Sequence, residues 1–88
     1  MRVTVQLFAR LREIAHCDRR ELEVAPGASV ADVWQALVDQ YPPLEPFGRS
    51  MTCAVNADFA RMTAAVRDGD DVAFLPPVSG GAGPSWRG

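Results

Sequence analysis

Lysine is absent from this chain. All nine basic side chains are arginine, so no side-chain amine is open to modification and only the N-terminus offers one. Thiols are scarce. Cys17 and Cys53 are the two cysteines, half of what an iron–sulfur cluster requires. The single histidine, His16, lies beside Cys17 and makes no zinc site without two more ligands placed by the fold. Both thiols read as core or helix-end residues in a reducing compartment. One histidine and no catalytic constellation argue against an independent enzyme. No run approaches the roughly 18 apolar residues of a membrane span. The N-terminus enters an alternating pattern directly, without the charged and apolar regions of a signal peptide. A cytoplasmic protein is expected, with no membrane partner. No basic stripe dominates, and the net charge is −2, which argues against nucleic acid.

What is present suits one small domain. Hydrophobic residues make up 48% of 88, enough for a core and too many for disorder. "MRVTVQLF" alternates, with Val3, Val5 and Leu7 on one face and Arg2, Thr4, Gln6 and Phe8 on the other. That pattern predicts a strand with Phe8 on its polar side. "ARLREIAH" spaces Leu11, Ile14 and Ala15 for a short helix. "RRELEV" predicts a second strand, with Leu22 and Val24 inward, and "APGAS" a turn. Ser29 and Asp32 form a variant capping box. Val30, Val33, Trp34, Leu37, Val38 and Tyr41 then make one apolar stripe on an amphipathic helix, with Trp34 expected in the core. Pro42 and Pro43 stop that helix, and "YPPLEPFGRS" reads as a loop. "MTCAVN" predicts a strand, "ADFARM" a turn or short strand, and "RDGDD" a tight turn. "VAFLPP" is the last strand. With Val72 and Phe74 inward, Leu75 points outward. One dominant helix and a small mixed sheet predict an α+β roll.

The last strand runs into "PPVSGG". Pro76 and Pro77 fix φ and donate no backbone hydrogen bond, so they end the sheet and project the chain outward. Val78 and Ser79 continue the stalk. Gly80 and Gly81 remove side chains altogether, so the backbone can pass where no Cβ fits. The combination is shaped to enter another protein's tunnel. A flexible linker ending the domain is the competing reading, which a doubled glycine alone favours; its place after a last strand and two prolines favours the stalk.

"VTVQLFARLREIAH", "AVN" and "DGDDVAFLPPVSGG", in this order and spacing, resemble the small subunits of molybdopterin synthase. These are ubiquitin-like sulfur carriers, and the resemblance covers Met1 to Gly81. It implies a β-grasp domain over residues 1–81, with a mixed sheet packed on one main helix and an extended C-terminal tail. In that family an activating, E1-like enzyme uses ATP and magnesium to adenylate the terminal glycine carboxylate, which here would be Gly81. Sulfur from a persulfide donor then makes a thiocarboxylate. The loaded tip, Pro76 to Gly81, enters the large subunit and gives its sulfur to cyclic pyranopterin monophosphate. The resemblance therefore implies no cofactor or metal on this chain, and catalytic side chains on the large subunit. It also marks Phe8, Phe59 and Leu75 as apolar partner contacts and Arg12 as a charged one. Strand parity, read independently, already puts Phe8 and Leu75 on an outer face. Arg10, Arg19 and Arg20 read as a solvated face.

The chain departs from that family past the doubled glycine. Residues 82–88 follow Gly81, whose carbonyl is then an amide and cannot be adenylated. Three origins fit: a native extension trimmed by a protease, an artefact of expression or of a misplaced stop codon, or loss of the carrier role. The stalk is shared by sulfur carriers for thiamine, cysteine and transfer-RNA thiolation, and "FARLRE" leans toward molybdopterin. A non-covalent ubiquitin-like interaction module is the alternative from another class.

Overall fold

The computed structural model describes residues 1–76, the side chain of Arg49 excepted. The expected stalk and tip, Pro77 through Gly81, and the 82–88 extension lie outside the described residues. Five strands and two α-helices follow in the order β1 (Arg2–Leu7), α1 (Arg10–Ala15), β2 (Arg19–Glu23), α2 (Val30–Gln40), β3 (Thr52–Val55), β4 (Asp58–Ala60) and β5 (Asp71–Leu75). They form one mixed sheet in the order β2-β1-β5-β3-β4. β1 and β5 run parallel at its centre, and the other pairs are antiparallel. This is the α+β roll that the residue pattern predicts.

Alternation builds the sheet's inner face. Val3, Val5 and Leu7 of β1, Leu22 of β2, Cys53 of β3, and Val72 and Phe74 of β5 are buried together. α2 lays its stripe across them, with Val30, Val33, Trp34, Leu37 and Val38 buried. Trp34 and Phe74 meet with ring centroids 5.0 Å apart, tilted by 58°, a geometry that aromatic pairs favour beyond simple area burial. The helix starts where the capping box predicts. The Asp32 amide donates to Ser29 Oγ at 3.3 Å, and the Ser29 amide donates to the Asp32 carboxylate at 2.9 Å, so two orphan donors of the first turn are satisfied.

The segment after α2 differs from the expected loop. Pro42–Arg49 is a 3₁₀ helix. Proline is tolerated at a helix start, where the missing N–H has no intrahelical use. Tight three-residue turns then let Leu44 reach full burial under the core. Gly48 sits against the Trp34 indole, where a Cβ would fall 2.7 Å from Nε1.

Two turns use backbone that alanine rarely adopts. Ala9 has φ 53° and ψ −126°, and Ala57 has φ 72°. Ala9 is the first central residue of a tight turn closed by the Leu11 amide donating to the Phe8 carbonyl at 3.1 Å. Those angles define a type II′ turn, whose first central position glycine dominates. Ala57 follows Asn56 (φ 52°) in the two-residue connection of the β3–β4 hairpin, where Val55 pairs with Asp58. Positive φ at both positions makes it a type I′ turn.

Candidate functional site

The outer face of the sheet carries the candidate site. Registers link one residue of every strand across it: Phe59 opposite Ala54, Ala54 opposite Ala73, Ala73 beside Gln6, and Gln6 opposite Arg19. The middle of this row is two alanines. Ala54 is only 8% exposed yet stands apart from the inner core cluster. The floor is therefore low and apolar, and larger side chains rise on either side. Phe59 stands on edge strand β4 with 85% of its surface in water, and Phe8 is 40% exposed. These are the two large hydrophobic side chains left exposed among the described residues. Phe59 forgoes most of the stabilisation of burial, about 2 kcal/mol for a side chain of this size, and Phe8 a smaller share. Exposed aromatics grouped on one face mark an interaction surface.

Phe8 divides two hollows. One, of about 480 Å³, is lined by Gln6, Phe8, Asn56, Ala57, Asp71 and Ala73. The other, of about 360 Å³, is lined by Gln6, Leu7, Phe8, Arg12, Asp18 and Arg19. Arg12 comes from α1 and is exposed. Leu75 ends β5, opposite Thr52, and is half-buried on the outer face. Pro76 follows it and is also half-buried. Because β1 and β5 are parallel, Phe8 and Pro76 leave the sheet at the same end. The structure thus brings Phe8 and Arg12 to one hollow and Leu75 to the same end of the sheet, while Phe59 lies toward the far edge.

A side-chain clamp holds the opposite end of β5. The Asn56 amide nitrogen donates to the Asp70 carboxylate at 3.0 Å, and the Asn56 oxygen accepts the Asp71 amide at 3.0 Å. Asp70 also accepts the Arg67 amide at 2.8 Å, and Asp68 accepts the Arg2 amide at 2.7 Å. The turn itself closes through the Asp70 amide onto the Arg67 carbonyl, with Gly69 at φ 86°, a backbone that glycine adopts without strain. The Asn56 side chain, first, and the Arg67 amide, second, pull the Asp70 carboxyl below its ordinary range. Asn56 is thus what "AVN" contributes structurally. Its partners lie 14 and 15 residues away, and nothing local in the sequence announces them.

The chemistry available on this face is recognition. Among the described residues no polar or charged side chain is buried, and no three His, Cys, Asp or Glu side chains cluster to hold a metal ion. Cys53 is buried on the inner face, where its thiol donates to Met62 Sδ at 3.6 Å and desolvation pushes its pKa up. A thiol so placed is a poor nucleophile. Cys17 is half-buried, and both cysteines are free. Residues at these hollows and on this floor to which sequence reading gave no site role are Gln6, Asp18, Arg19, Ala54 and Ala73. Arg19, read as part of a solvated face, is exposed, and its pairing with Gln6 sets it at the rim of the Phe8 hollow. Its parity with Glu21 and Glu23 was the available signal.

Comparison with known proteins is consistent over nearly the whole chain. The ThiS family model matches residues 5–81. A molybdopterin synthase sulfur carrier subunit of Chlamydomonas reinhardtii is 32% identical, over 92% of this chain and 100% of its own. One from Mycobacterium tuberculosis is 37% identical, over 92% of this chain and 99% of its own. The crystal structure of small archaeal modifier protein 1 (SAMP1) from Haloferax volcanii superposes with a TM-score of 0.83 at 34% identity, covering 92% of this chain and 100% of that one. A chain of the Amycolatopsis orientalis BexX/CysO complex gives 0.68 at 26% identity, covering 90% and 99%. The fold is the ubiquitin-like β-grasp shared with these structures.

Proposed function

The chain belongs to the ThiS family, and from that premise we propose that it is the sulfur carrier of a molybdopterin synthase, delivering sulfur as a thiocarboxylate on Gly81. The observation that carries this reading is where the family match ends. It runs through Gly81, the second residue of the doubled glycine, and the strand leading there is the central strand of the sheet. Relatives named as molybdopterin synthase sulfur carrier subunits supply the pathway.

The chemistry starts from a carboxylate, so the Gly81–Ala82 amide must first be hydrolysed. Trimming after Gly81 is part of the proposal. A carboxylate is a poor electrophile because its charge is delocalised. Adenylation by an E1-like enzyme with ATP and magnesium, releasing pyrophosphate, gives a mixed anhydride with AMP as leaving group. The outer sulfur of a persulfide displaces AMP, and thiol reduction of the resulting acyl disulfide leaves the thiocarboxylate. The acceptor is cyclic pyranopterin monophosphate, bound by the large subunit, which supplies the catalytic side chains. This chain contributes the tip, the stalk from Pro76 to Gly80, and a docking face of Phe8, Arg12, Phe59 and Leu75. The likeness to SAMP1 and to the CysO of the BexX complex favours one second reading, in which the same tip serves another sulfur acceptor.

Intact mass of the untagged protein from its native host tests the proposal. The expected species ends at Gly81, with a fraction heavier by one oxygen-to-sulfur exchange. A chain ending only at Gly88, in cells making molybdenum cofactor, overturns it in favour of a non-covalent interaction module.

A further inference from the structure

Four arginines project from α1 and β2, and they are not equivalent. Arg10 pairs with Glu13 at 3.5 Å, and the Arg20 guanidinium lies 5.7 Å from the Tyr41 ring centroid. Arg12 and Arg19 make no ion pair among the described residues. Along the same β1–β2 ribbon, Arg2 is held by Glu23 at 3.2 Å and Glu21 at 3.7 Å. Charge is therefore neutralised internally at one end of the ribbon and left open at the other. The open end is the hollow where Arg12, Arg19, Gln6 and the Phe8 ring meet.

We propose that this hollow is a carboxylate-binding subsite of the docking face, filled by an Asp or Glu side chain of the partner protein, with Arg19 as a recognition residue alongside Arg12. The inference rests on the docking role of Phe8 given above. Two guanidinium forks suit a planar carboxylate, which each can grip through two parallel hydrogen bonds. The Phe8 wall excludes water on one side and strengthens the attraction. Asp18 lines the same hollow and offsets one of the two positive charges, so the site is matched to a single negative charge. Glu21 and Glu23 continue along β2 from Arg19, and the chain as a whole carries −2. Beyond the hollow, among the described residues, Arg2 of the ribbon is ion-paired and Arg20 lies over the Tyr41 ring, which leaves little positive charge for a polyanion such as nucleic acid, whereas one carboxylate on a protein surface needs no more.

Association kinetics with the large subunit of the host's molybdopterin synthase test this. The variants are Arg19→Glu, the Arg12→Ala/Arg19→Ala pair, and Phe8→Ala. At low salt Arg19→Glu is expected to lower the association rate constant roughly tenfold, because rim charges act mainly on encounter. At about 1 M salt the Debye length falls to about 3 Å and the gap should close to less than about twofold. The two alanine substitutions should be non-additive, since both side chains would grip one carboxylate. An Arg19→Glu variant with unchanged rate and salt dependence overturns the subsite. If Phe8→Ala still weakens binding in that case, the docking face stands and only the subsite fails. If neither changes anything, the docking reading has failed as well.

Discussion

Ala9→Gly should stabilise this domain, against the usual effect of adding a glycine. Ala9 occupies φ 53°, ψ −126°, which alanine avoids because its Cβ crowds the neighbouring peptide. Sparsely populated backbone of this kind costs about 1–3 kcal/mol in the folded state. Glycine takes the same angles freely but loses about 0.5–1 kcal/mol more conformational entropy on folding. Ala9 is exposed and its methyl fills no part of the core, so little packing is lost. The balance is a gain of up to about 2.5 kcal/mol, about 1 kcal/mol at mid-range. For a domain of this size, each kcal/mol moves Tm by about 4–8 °C, so a mid-range gain of about 1 kcal/mol raises Tm by about 4–8 °C. Thermal unfolding by circular dichroism measures it, with urea unfolding as a check that the m-value is unchanged. Gly69→Ala is the control with the opposite sign, since φ 86° there suits glycine and strains a residue with a Cβ. A fall in Tm for Ala9→Gly, by the amount the unfolded-state entropy alone would give, refutes the strain argument.

Gly48→Ala should cost about 1–3 kcal/mol by overpacking, because the new methyl displaces the Trp34 indole from its place against Phe74; a urea midpoint equal to wild type would contradict this. Asn56→Gly keeps a residue that accepts φ 52° and deletes two side-chain hydrogen bonds, so a loss of about 1–2 kcal/mol at neutral pH is expected. The folded Asp70 carboxyl titrates below its unfolded value, so the ionised form is the one stabilised by folding. Its contribution is present above about pH 4 and fades as pH falls through the depressed folded value, so the gap between wild type and Asp70→Asn should narrow over that range in acid titrations of stability. Iodoacetamide on the native protein should label Cys17 well before Cys53, read by peptide mass spectrometry, because Cys53 is buried and its thiolate is disfavoured; equal rates would sink the assignment of Cys53 to a closed core.

Periodicity carried most of the scaffold, and its failures share a cause. Ser29 and Asp32 lie three residues apart, so the cap of α2 is a local fact and legible. Phe8 is legible for the same reason, since strand parity needs no partner strand. Leu44 was read into a loop because three prolines flank it, and a 3₁₀ turn leaves no long repeat by which to recognise it. Ala54 and Ala73 become a floor only through the pairing of β3 with β5, and Arg19 reaches the Phe8 hollow only through the pairing of β1 with β2. Register between distant strands is set by packing of the whole face, which no short window of sequence contains. Ala9 was hidden for a different reason. Alanine signals helix, and here the surrounding structure overrides that preference.

The position of β5 has a mechanical meaning. It lies between β1 and β3 and is bonded to both, and the chain beyond Leu75 leaves from its end. A partner tugging on that tail pulls along the strand axis, so two rows of hydrogen bonds are loaded in shear and must yield together. A peripheral strand pulled the same way would resist with one row. On the proposed carrier role, this placement would let one partner release the tail and another take it while the body stays folded.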